Sequence, residues 1–231
     1  MKYQNVIAAT FLSRPNRFIA YVDINGAHTL THVKNTGRCK ELLVPGCRVY
    51  LAFSDNPARK TQYDLIAVEK ALQNEESLLI NMDSQIVNDV VDEWLRSGGL
   101  FSPNATIRRE ISHGTSRFDF YVEDGERKVF LEVKGVTLES DGIARFPDAP
   151  TERGVKHVRE LISCVNAGYE AYIIFVVQMK GIRYFCPNDD MQPVFGEVLR
   201  EAKQKGVNLL AFDCLVERDS ISLDHPIPIK I

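Results

Sequence analysis

Three charged residues lie in two adjacent segments whose apolar and polar residues alternate. Asp119 lies in SRFDFYVE, and Glu132 and Lys134 lie in KVFLEVKG, with twelve residues between Asp119 and Glu132. Every second side chain of a strand shares a face, so all three can meet across a strand pair. Two carboxylates suit Mg²⁺ or Mn²⁺, and a neighbouring ammonium can stabilise charge on a phosphate. This spacing predicts a metal-dependent site for phosphodiester hydrolysis, with the backbone carbonyl of Val133 as another metal ligand.

A third acidic ligand has more than one candidate. Glu110 lies in the preceding alternating segment, ATIRREIS, two residues after Arg108. In a strand these two side chains share a face, which directs Glu110 toward the face that carries Asp119. Asp92 and Glu93 lie on a predicted helix before that segment and are the alternative source of the acid. The sequence does not choose between the strand and the helix.

A group of basic residues follows the acidic residues along the chain. Arg153, Lys156 and His157 open a predicted helix that begins near Val155. The N-terminus of a helix with cationic side chains is a ready phosphate-binding site. We therefore predict that these residues contact nucleic acid.

The elements that position these residues fall into two parts, which we predict at 1–80 and 81–231. The N-terminal part contains short alternating runs and a hairpin turn at Asn25-Gly26, which is typical of a small β-barrel. An OB-like fold is the natural candidate, and an SH3-like barrel is the alternative. The predicted strands are FIAYVDI, HTLTHV, CRVYLAF and YDLIAVE.

The C-terminal part predicts a mixed-sheet α/β (α+β) fold. Apolar residues at helical spacing run from Asp83 to Gly98-Gly99, and three alternating strands follow, the last two joined by a turn at Asp124-Gly125. Alternation places Phe118, Phe120 and Val122 on one face. A loop is predicted over 137–154, and after it come a helix from 155 to about 166, the buried strand AYIIFVVQ, a helix near 193–205 and the strand VNLLAFDCLVE.

Charge is distributed unevenly. The overall net charge is -3, but residues 1–70 hold 10 Lys and Arg against 5 Asp and Glu, whereas residues 71–231 hold 18 against 26. A basic N-terminal part beside an acidic part suits capture of a polyanion next to a carboxylate-rich metal site. The five scattered cysteines and the absence of a long apolar run predict a soluble cytoplasmic protein with no membrane partner.

Motifs throughout the chain resemble known families. The pattern of Asp119 followed by Glu132-Val133-Lys134 resembles the D…E-x-K signature of the PD-(D/E)XK nuclease superfamily. The whole chain resembles the sugar fermentation stimulation protein A family of bacteria and archaea. The stretches that carry this second resemblance are RPNRFIAYV, HVKNTGRCKELLVPG, RKTQYDLIAVE, REISHGTSRFDFYVE, FLEVKGVTL, FPDAPTERGVKHVREL and GVNLLAFDCLVE.

This resemblance implies an N-terminal OB-like barrel joined to a PD-(D/E)XK-like domain that binds DNA without marked sequence preference. It also implies a connection with maltose utilisation, and a site formed by Asp119, Glu132 and Lys134 with Glu110 as the additional acid. One departure from the family pattern concerns the first helix, and we do not expect it to affect metal binding. The residues that depart are Asn81, Met82, Asp83, Ser84 and Asn88.

The predicted barrel supplies further candidates for DNA contact. Lysines and arginines neutralise phosphates, and an aromatic ring such as Tyr63 or Phe53 can stack on a base, which together give salt-sensitive binding. The segment 35–37, Asn-Thr-Gly, is also consistent with a tight turn. The polar candidates are Arg14, Arg17, His32, Lys34, Asn35, Arg38, Arg59, Lys60 and Tyr63.

Three functions fit these observations. The first is a Mg²⁺- or Mn²⁺-dependent nuclease that cleaves single- or double-stranded DNA. The second is a DNA-binding regulator of sugar genes that keeps the nuclease-like fold without catalysis. The third is RNA processing, because an OB-like barrel can bind single strands of either nucleic acid. No dimerisation motif is present, and a homodimer that places two sites across a duplex is an expectation that the sequence alone does not test.

Overall fold

The N-terminal strands form a closed barrel. The computed structural model describes residues 1–35, 37–72 and 76–231. The first sheet has the order β3-β2-β1-β4-β5-β6, and a parallel pairing of β3 with β5 closes a ring of five strands. This ring confirms the predicted OB-like barrel. The strands of this sheet are β1 (Val6–Asn16), β2 (Ile19–Ile24), β3 (Ala27–Val33), β4 (Arg48–Phe53), β5 (Tyr63–Ala71) and β6 (Ser77–Asn81), and β6 lies outside the ring.

One hairpin of the barrel follows the predicted turn, and two strands of this sheet, β1 and β6, were not predicted. Asn25 and Gly26 have φ of 52° and 89°, as a two-residue turn between β2 and β3 requires. Strand β1 was not predicted because its register shifts twice, between Phe11 and Ser13 and between Ser13 and Asn16. Such bulges break the alternation by which a strand is recognised. The predicted turn at 35–37 includes Thr36, which lies outside the described residues.

The C-terminal part is built on a six-stranded mixed sheet of order β15-β14-β12-β9-β8-β7. Strands β9, β12 and β14 are parallel, and the others pair antiparallel. The elements of this part are α1 (Ile86–Arg96), β7 (Thr106–His113), β8 (Ser116–Asp124), β9 (Arg127–Val136), β10 (Leu138–Ser140), β11 (Ile143–Phe146), α2 (Glu152–Asn166), β12 (Glu170–Val177), β13 (Tyr184–Pro187), α3 (Pro193–Gln204), β14 (Asn208–Val216) and β15 (Ile221–Pro226).

Helices cover both faces of this sheet, which confirms the predicted mixed α/β fold. Buried residues of α1 pack with one set of strand residues, including Leu131 and Ile174. Residues of α2 and α3 pack with the alternate set, including Ile173 and Phe175. In the described part of the chain, no helix is both long enough and apolar enough to cross a membrane.

The barrel and the mixed sheet share a core. One cluster of buried side chains runs from Phe11 and Leu51 of the barrel to Phe175 and Phe195 of the C-terminal part. Lys70 of β5 also donates from its Nζ to the carbonyl of Glu139, at 2.7 Å. These contacts hold the barrel directly against the part of the chain that carries the acidic residues.

Two sequence predictions in this part were wrong. The segment 137–154 is not only a loop, because β10 and β11 form a small sheet with β13. Strands of three and four residues are too short to show alternation. Phe118 does not share a cluster with Phe120 and Val122, and its ring lies 5.1 Å from that of Phe130 instead. The chain changes face at Asp119, where β8 parts from β9.

Candidate functional site

The site forms where β8 and β9 separate. Their last paired residues at this end are Phe120 and Leu131. Beyond them, the carboxylate of Asp119 replaces a backbone partner and accepts a hydrogen bond from the N–H of Val133 at 2.7 Å. The N–H and C=O of one strand residue point to the same side, so the carbonyl of Val133 also faces the gap. The carboxylate of Asp119 and the carbonyl of Val133 therefore face the same gap, as their predicted role as metal ligands requires.

Glu132 is held in a buried cage. Its side chain points toward α2, and the residue is 2% exposed. Its Oε1 accepts hydrogen bonds from the Nζ of Lys134 and from Nδ1 of His157. Its Oε2 is buried and has no hydrogen-bond partner. A buried carboxylate oxygen without a partner is costly, and a bound cation would satisfy it.

The two carboxylates have opposite pKa shifts. Burial, and then the charge of Glu132, raise the pKa of Asp119 above its usual value. Burial alone would raise the pKa of Glu132 as well, but the charge of Lys134 and the hydrogen bond from His157 outweigh burial and lower it. Glu132 is thus the better stabilised anion, whereas Asp119 is the acid that gains most from a cation beside it.

Helix α1 contributes an amide to the site, not an acid. The Nδ2 of Asn88 donates to Oδ1 of Asp119 at 2.8 Å. Just before the helix, Oδ1 of Asp83 accepts from the backbone N–H groups of Gln85 and Ile86 at 2.9 and 3.3 Å. This turn leads into α1, whose third residue is Asn88. Asn88 belongs to the segment that departs from the family pattern, so the departure falls at the site.

None of the three candidates for the additional acid reaches this group. Glu110 has a φ of 58° and is exposed, and its carboxylate pairs with Arg117 at 2.9 Å. Asp92 pairs with Arg96 at 3.0 Å, and Glu93 binds the N-terminal ammonium at 2.6 Å. The sequence prediction assumed that Glu110 lies in a regular strand. Its left-handed backbone conformation breaks the alternation and explains why the side chain points elsewhere.

The separated strands open into a cleft of about 360 Å³ that contains Asp119, Glu132, Val133 and Lys134. The cleft lies at the carboxyl ends of the parallel strands β9 and β12, the usual place for a site in an α/β sheet. Gln178, directly after β12, lines it and has a buried Oε1 with no hydrogen-bond partner.

The barrel and a neighbouring loop complete the cleft. Asn35 and Gly37 line it from the barrel, and Asp148 lines it from the loop after β11. A Cβ atom at Gly37 would lie 2.0 Å from Oδ2 of Asp148, so this close approach requires glycine. The N–H of Arg38 also donates to that Oδ2, at 3.1 Å. The barrel is therefore part of the cleft wall.

The predicted cations of α2 differ in position. Arg153 lines the cleft, and its Nε donates to Nε2 of His157 at 3.3 Å. His157 is buried and is hydrogen-bonded to Glu132, so it would influence a substrate by positioning that carboxylate. The Nζ of Lys156 lies away from the cleft, where it donates to the carbonyl of Thr115 at 2.8 Å.

Several predicted DNA contacts of the barrel meet at one carboxylate. Asp64 is buried and pairs with His32 at 3.1 Å, with Lys34 at 3.2 Å and with Arg59. Burial would raise the pKa of Asp64, but the hydrogen bonds from Arg59 and the charge of Lys34 lower it. Lys34 also pairs with Asp83 at 3.3 Å. These three side chains therefore have a carboxylate partner inside the protein.

The other barrel candidates have different surroundings. The guanidinium of Arg14 donates to three backbone carbonyls, and Tyr63 packs edge-on against Phe53 with ring centroids 5.5 Å apart. Arg17, Arg38 and Lys60 are exposed, and none has an ion-pair partner among residues 1–35, 37–72 and 76–231. These three are the cations most available to an external phosphate.

Sequence reasoning missed Asn88, Gln178 and Asp148 as residues of the site. Asn88 and Gln178 are neutral amides, and no spacing rule marks them. Asp148 lies in a segment that was predicted to be a loop. A signal did exist for Gln178, because a polar residue directly after the buried strand AYIIFVV lies at the end of the sheet where ligands bind.

Comparison with known proteins identifies relatives along the whole chain. The family model described as the SfsA N-terminal OB domain matches residues 12–80, and that described as the Sugar fermentation stimulation protein RE domain matches residues 85–220. A sugar fermentation stimulation protein homolog of Clostridium beijerinckii is 54% identical over 96% of both chains. A homolog of Ruminiclostridium cellulolyticum is 52% identical over 100% of both chains.

A solved structure has the same fold. It is the structure of Pyrococcus furiosus SfsA in complex with Ca²⁺, and it covers 100% of this chain and 98% of its own. The TM-score is 0.86 and the sequence identity is 26%. The fold of this chain therefore agrees with that of a known structure over the full length.

Proposed function

The chain belongs to the sugar fermentation stimulation protein family, and on that premise we propose that it hydrolyses phosphodiester bonds of DNA with a divalent metal ion. The observation that carries this proposal is the unpartnered Oε2 of Glu132, buried in the same cleft as the carboxylate of Asp119. Hard oxygen donors of this kind suit Mg²⁺ or Mn²⁺. The Ca²⁺ complex of the Pyrococcus furiosus relative supports a site for a hard cation.

The residues of the cleft have separate tasks in this proposal. Asp119, Glu132 and the carbonyl of Val133 would hold the cation, which when bound supplies positive charge at the scissile phosphate and lowers the pKa of a water molecule. Lys134 is fixed by Glu132 and stabilises charge that develops on the phosphate. His157 keeps the carboxylate of Glu132 in position from α2.

The test of this proposal uses the purified wild-type chain and end-labelled DNA. Single-stranded and duplex forms are incubated with EDTA, Mg²⁺, Mn²⁺ or Ca²⁺. We expect cleavage with Mg²⁺ or Mn²⁺ and none with EDTA, because the two carboxylates need a cation before they can act on an anionic phosphate. Fragment lengths on a denaturing gel measure the reaction.

A second candidate function is DNA binding without cleavage. One observation favours it: Lys134 and His157 already satisfy Oε1 of Glu132 without any metal ion. Such a protein would act as a catalytically silent regulator, as the name of its relatives allows. With this protein the denaturing gel would show intact DNA under every metal condition while a parallel native gel shows retarded DNA, and that result would reject the nuclease.

DNA binding can be tested separately at Arg38. Arg38 is exposed and has no ion-pair partner in the described part of the chain. We expect Arg38→Ala to weaken binding to all DNA sequences equally and to reduce the slope of log affinity against log salt by about 1, because one phosphate contact is lost. Fluorescence anisotropy at several salt concentrations measures this slope.

The matched control is Lys205→Ala. Lys205 ends α3 and lines neither the cleft nor a pocket next to it, so its removal changes the net charge by the same amount at another place. Equal slopes for the two variants would mean that general charge, and not contact at Arg38, governs affinity. An unaltered slope for Arg38→Ala would place the DNA on another surface.

A further inference from the structure

A second cavity lies directly beside the cleft. It has a volume of about 610 Å³ and lies between the barrel and the segment that leads into α2. We call it the basic pocket, and its walls include Ser13, Arg17, Arg38, Lys40, Ala149 and Pro150. Its size is in the range of pockets that bind small organic groups. Nothing in the proposed chemistry of Asp119 and Glu132 uses it.

The basic pocket and the cleft share a wall. Gly37 lines both cavities, and Asp148 of the cleft is followed directly by Ala149 of the pocket. The glycine allows the barrel to come within contact distance of Asp148 at this boundary. A polymer whose phosphate lies in the cleft can therefore place a neighbouring unit in the pocket.

The charge of the pocket is available to an outside anion. Arg17, Arg38 and Lys40 have no ion-pair partner within the described residues, in contrast to Lys34 and Arg59, which pair with Asp64. Three free cations on one concave surface suit phosphate groups.

Arg14 makes this wall rigid. Its guanidinium donates to the carbonyls of Arg38 at 2.8 Å, Arg17 at 2.7 Å and Asn35 at 2.7 Å. The backbones that carry two of the free cations are therefore tied to one side chain. The Nε of Arg14 is buried and has no hydrogen-bond partner, so the wall also keeps an unused donor.

The floor of the pocket is apolar. Phe11 and Leu43 line it and are 2% and 7% exposed, and Pro45 and Pro150 add further apolar surface. Free cations above an apolar floor fit a ligand that has an anionic part and a flat, largely apolar part. A nucleotide is such a ligand, because its phosphate carries the charge and its base can pack on apolar side chains. A base stacked inside a duplex cannot reach the floor of a concave pocket, whereas an unpaired base can.

We propose that the basic pocket binds an unpaired nucleotide of the DNA strand that passes through the cleft. This inference rests on the proposed function and names its substrate class, which is DNA with a junction between duplex and single strand. The duplex-side phosphates lie at the cleft, and the first unpaired base lies over Phe11 and Leu43.

The test compares three labelled DNAs in Ca²⁺ buffer by fluorescence anisotropy. They are a blunt duplex, the same duplex with a five-nucleotide overhang made in both polarities, and the overhang duplex with an abasic residue as its first unpaired nucleotide. We expect about tenfold tighter binding of an overhang duplex than of the blunt duplex, and loss of that gain with the abasic residue. Equal affinities for all three DNAs in the wild-type protein would overturn the proposal.

Two variants fill the pocket from opposite walls without changing charge. They are Ser13→Phe on β1 and Ala149→Phe before α2, and Ala167→Phe, an exposed position at the other end of α2, is the matched control. We expect both filling variants to lose the preference for the overhang and to keep their affinity for the blunt duplex. The control should keep both. A preference that survives in both filling variants would place the unpaired base elsewhere.

The outcomes separate this inference from the proposed function. Intact overhang preference without any cleavage in Mg²⁺ or Mn²⁺ would reject the nuclease and leave the pocket assignment supported. Cleavage with no overhang preference would support the nuclease and overturn the pocket. The abasic comparison needs no variant, so the proposal stays testable if a filled pocket prevents folding.

Discussion

Replacement of Asp119 by alanine is expected to lower the rate of DNA cleavage by about a thousandfold or more while DNA affinity changes little. Asp119 is one of two carboxylates in the cleft, and its loss removes a cation ligand from the place where the phosphate reacts. A bound cation contributes several kcal/mol to stabilising the transition state, and about 1.4 kcal/mol corresponds to a tenfold rate. Binding is expected to persist because the free cations lie on the barrel.

The Asp119→Asn variant separates chemistry from structure. Asparagine has the same shape and keeps an oxygen that can accept from the N–H of Val133. The raised pKa of Asp119, caused by burial and by the charge of Glu132, shows that its ionised form is unfavourable in the folded protein. We therefore expect this variant to lose cleavage like Asp119→Ala but to unfold at the same urea concentration as the wild type or at a higher one.

Both results can be checked in one set of experiments. Single-turnover cleavage with Mg²⁺ gives the rate, fluorescence anisotropy in Ca²⁺ gives the affinity, and urea denaturation followed by circular dichroism gives the stability. Wild-type cleavage rates in either variant would show that the reaction occurs elsewhere. Loss of DNA binding together with cleavage would show that the residue positions the DNA.

The meeting of Asp119, Glu132 and Lys134 could be predicted from sequence because alternation along a strand is a local rule. Glu132 and Lys134 are two residues apart on β9, so any strand at this position puts them on one face. Asp119 is brought next to them by the hairpin of β8 and β9, whose turn at Asp124-Gly125 can be recognised in the sequence.

The rest of the site depends on contacts that local rules do not describe. Glu110 follows the alternation of β7 in sequence, but its left-handed backbone and Arg117 turn it to solvent. Asn88 reaches Asp119 only because α1 packs on a particular face of the sheet. Gln178 is brought there by the parallel pairing of β9 with β12, which joins segments distant in sequence.

The barrel shows the same limit for charge. Composition correctly identified the first 70 residues as basic, and it could not show which cations are free. Asp64 pairs with His32, Lys34 and Arg59, because β3 and β5 pair in parallel and bring His32 opposite Asp64. Counts of charged residues predict a polyanion partner, whereas the location of the binding surface depends on which ion pairs form.

The second large effect is expected at Lys134, which balances the charge of Glu132. Lys134→Met keeps much of the side-chain length and removes the ammonium from a carboxylate that is 2% exposed. Leaving a buried charge without one of its partners costs about 3 kcal/mol. We expect the variant to unfold at a clearly lower urea concentration in EDTA and to cleave DNA about a hundredfold more slowly or worse, since a transition-state charge donor is also lost.

The metal ion distinguishes a structural role of Lys134 from its proposed place beside a cation. If Glu132 holds a cation through its free Oε2, then Mg²⁺ can replace part of the missing positive charge. Mg²⁺ should therefore raise the stability of Lys134→Met more than that of the wild type, and Lys134→Arg should restore stability without metal. An equal effect of Mg²⁺ on both proteins would mean that no cation binds next to Glu132, and the site would then be a buried ion-pair network that only supports the fold.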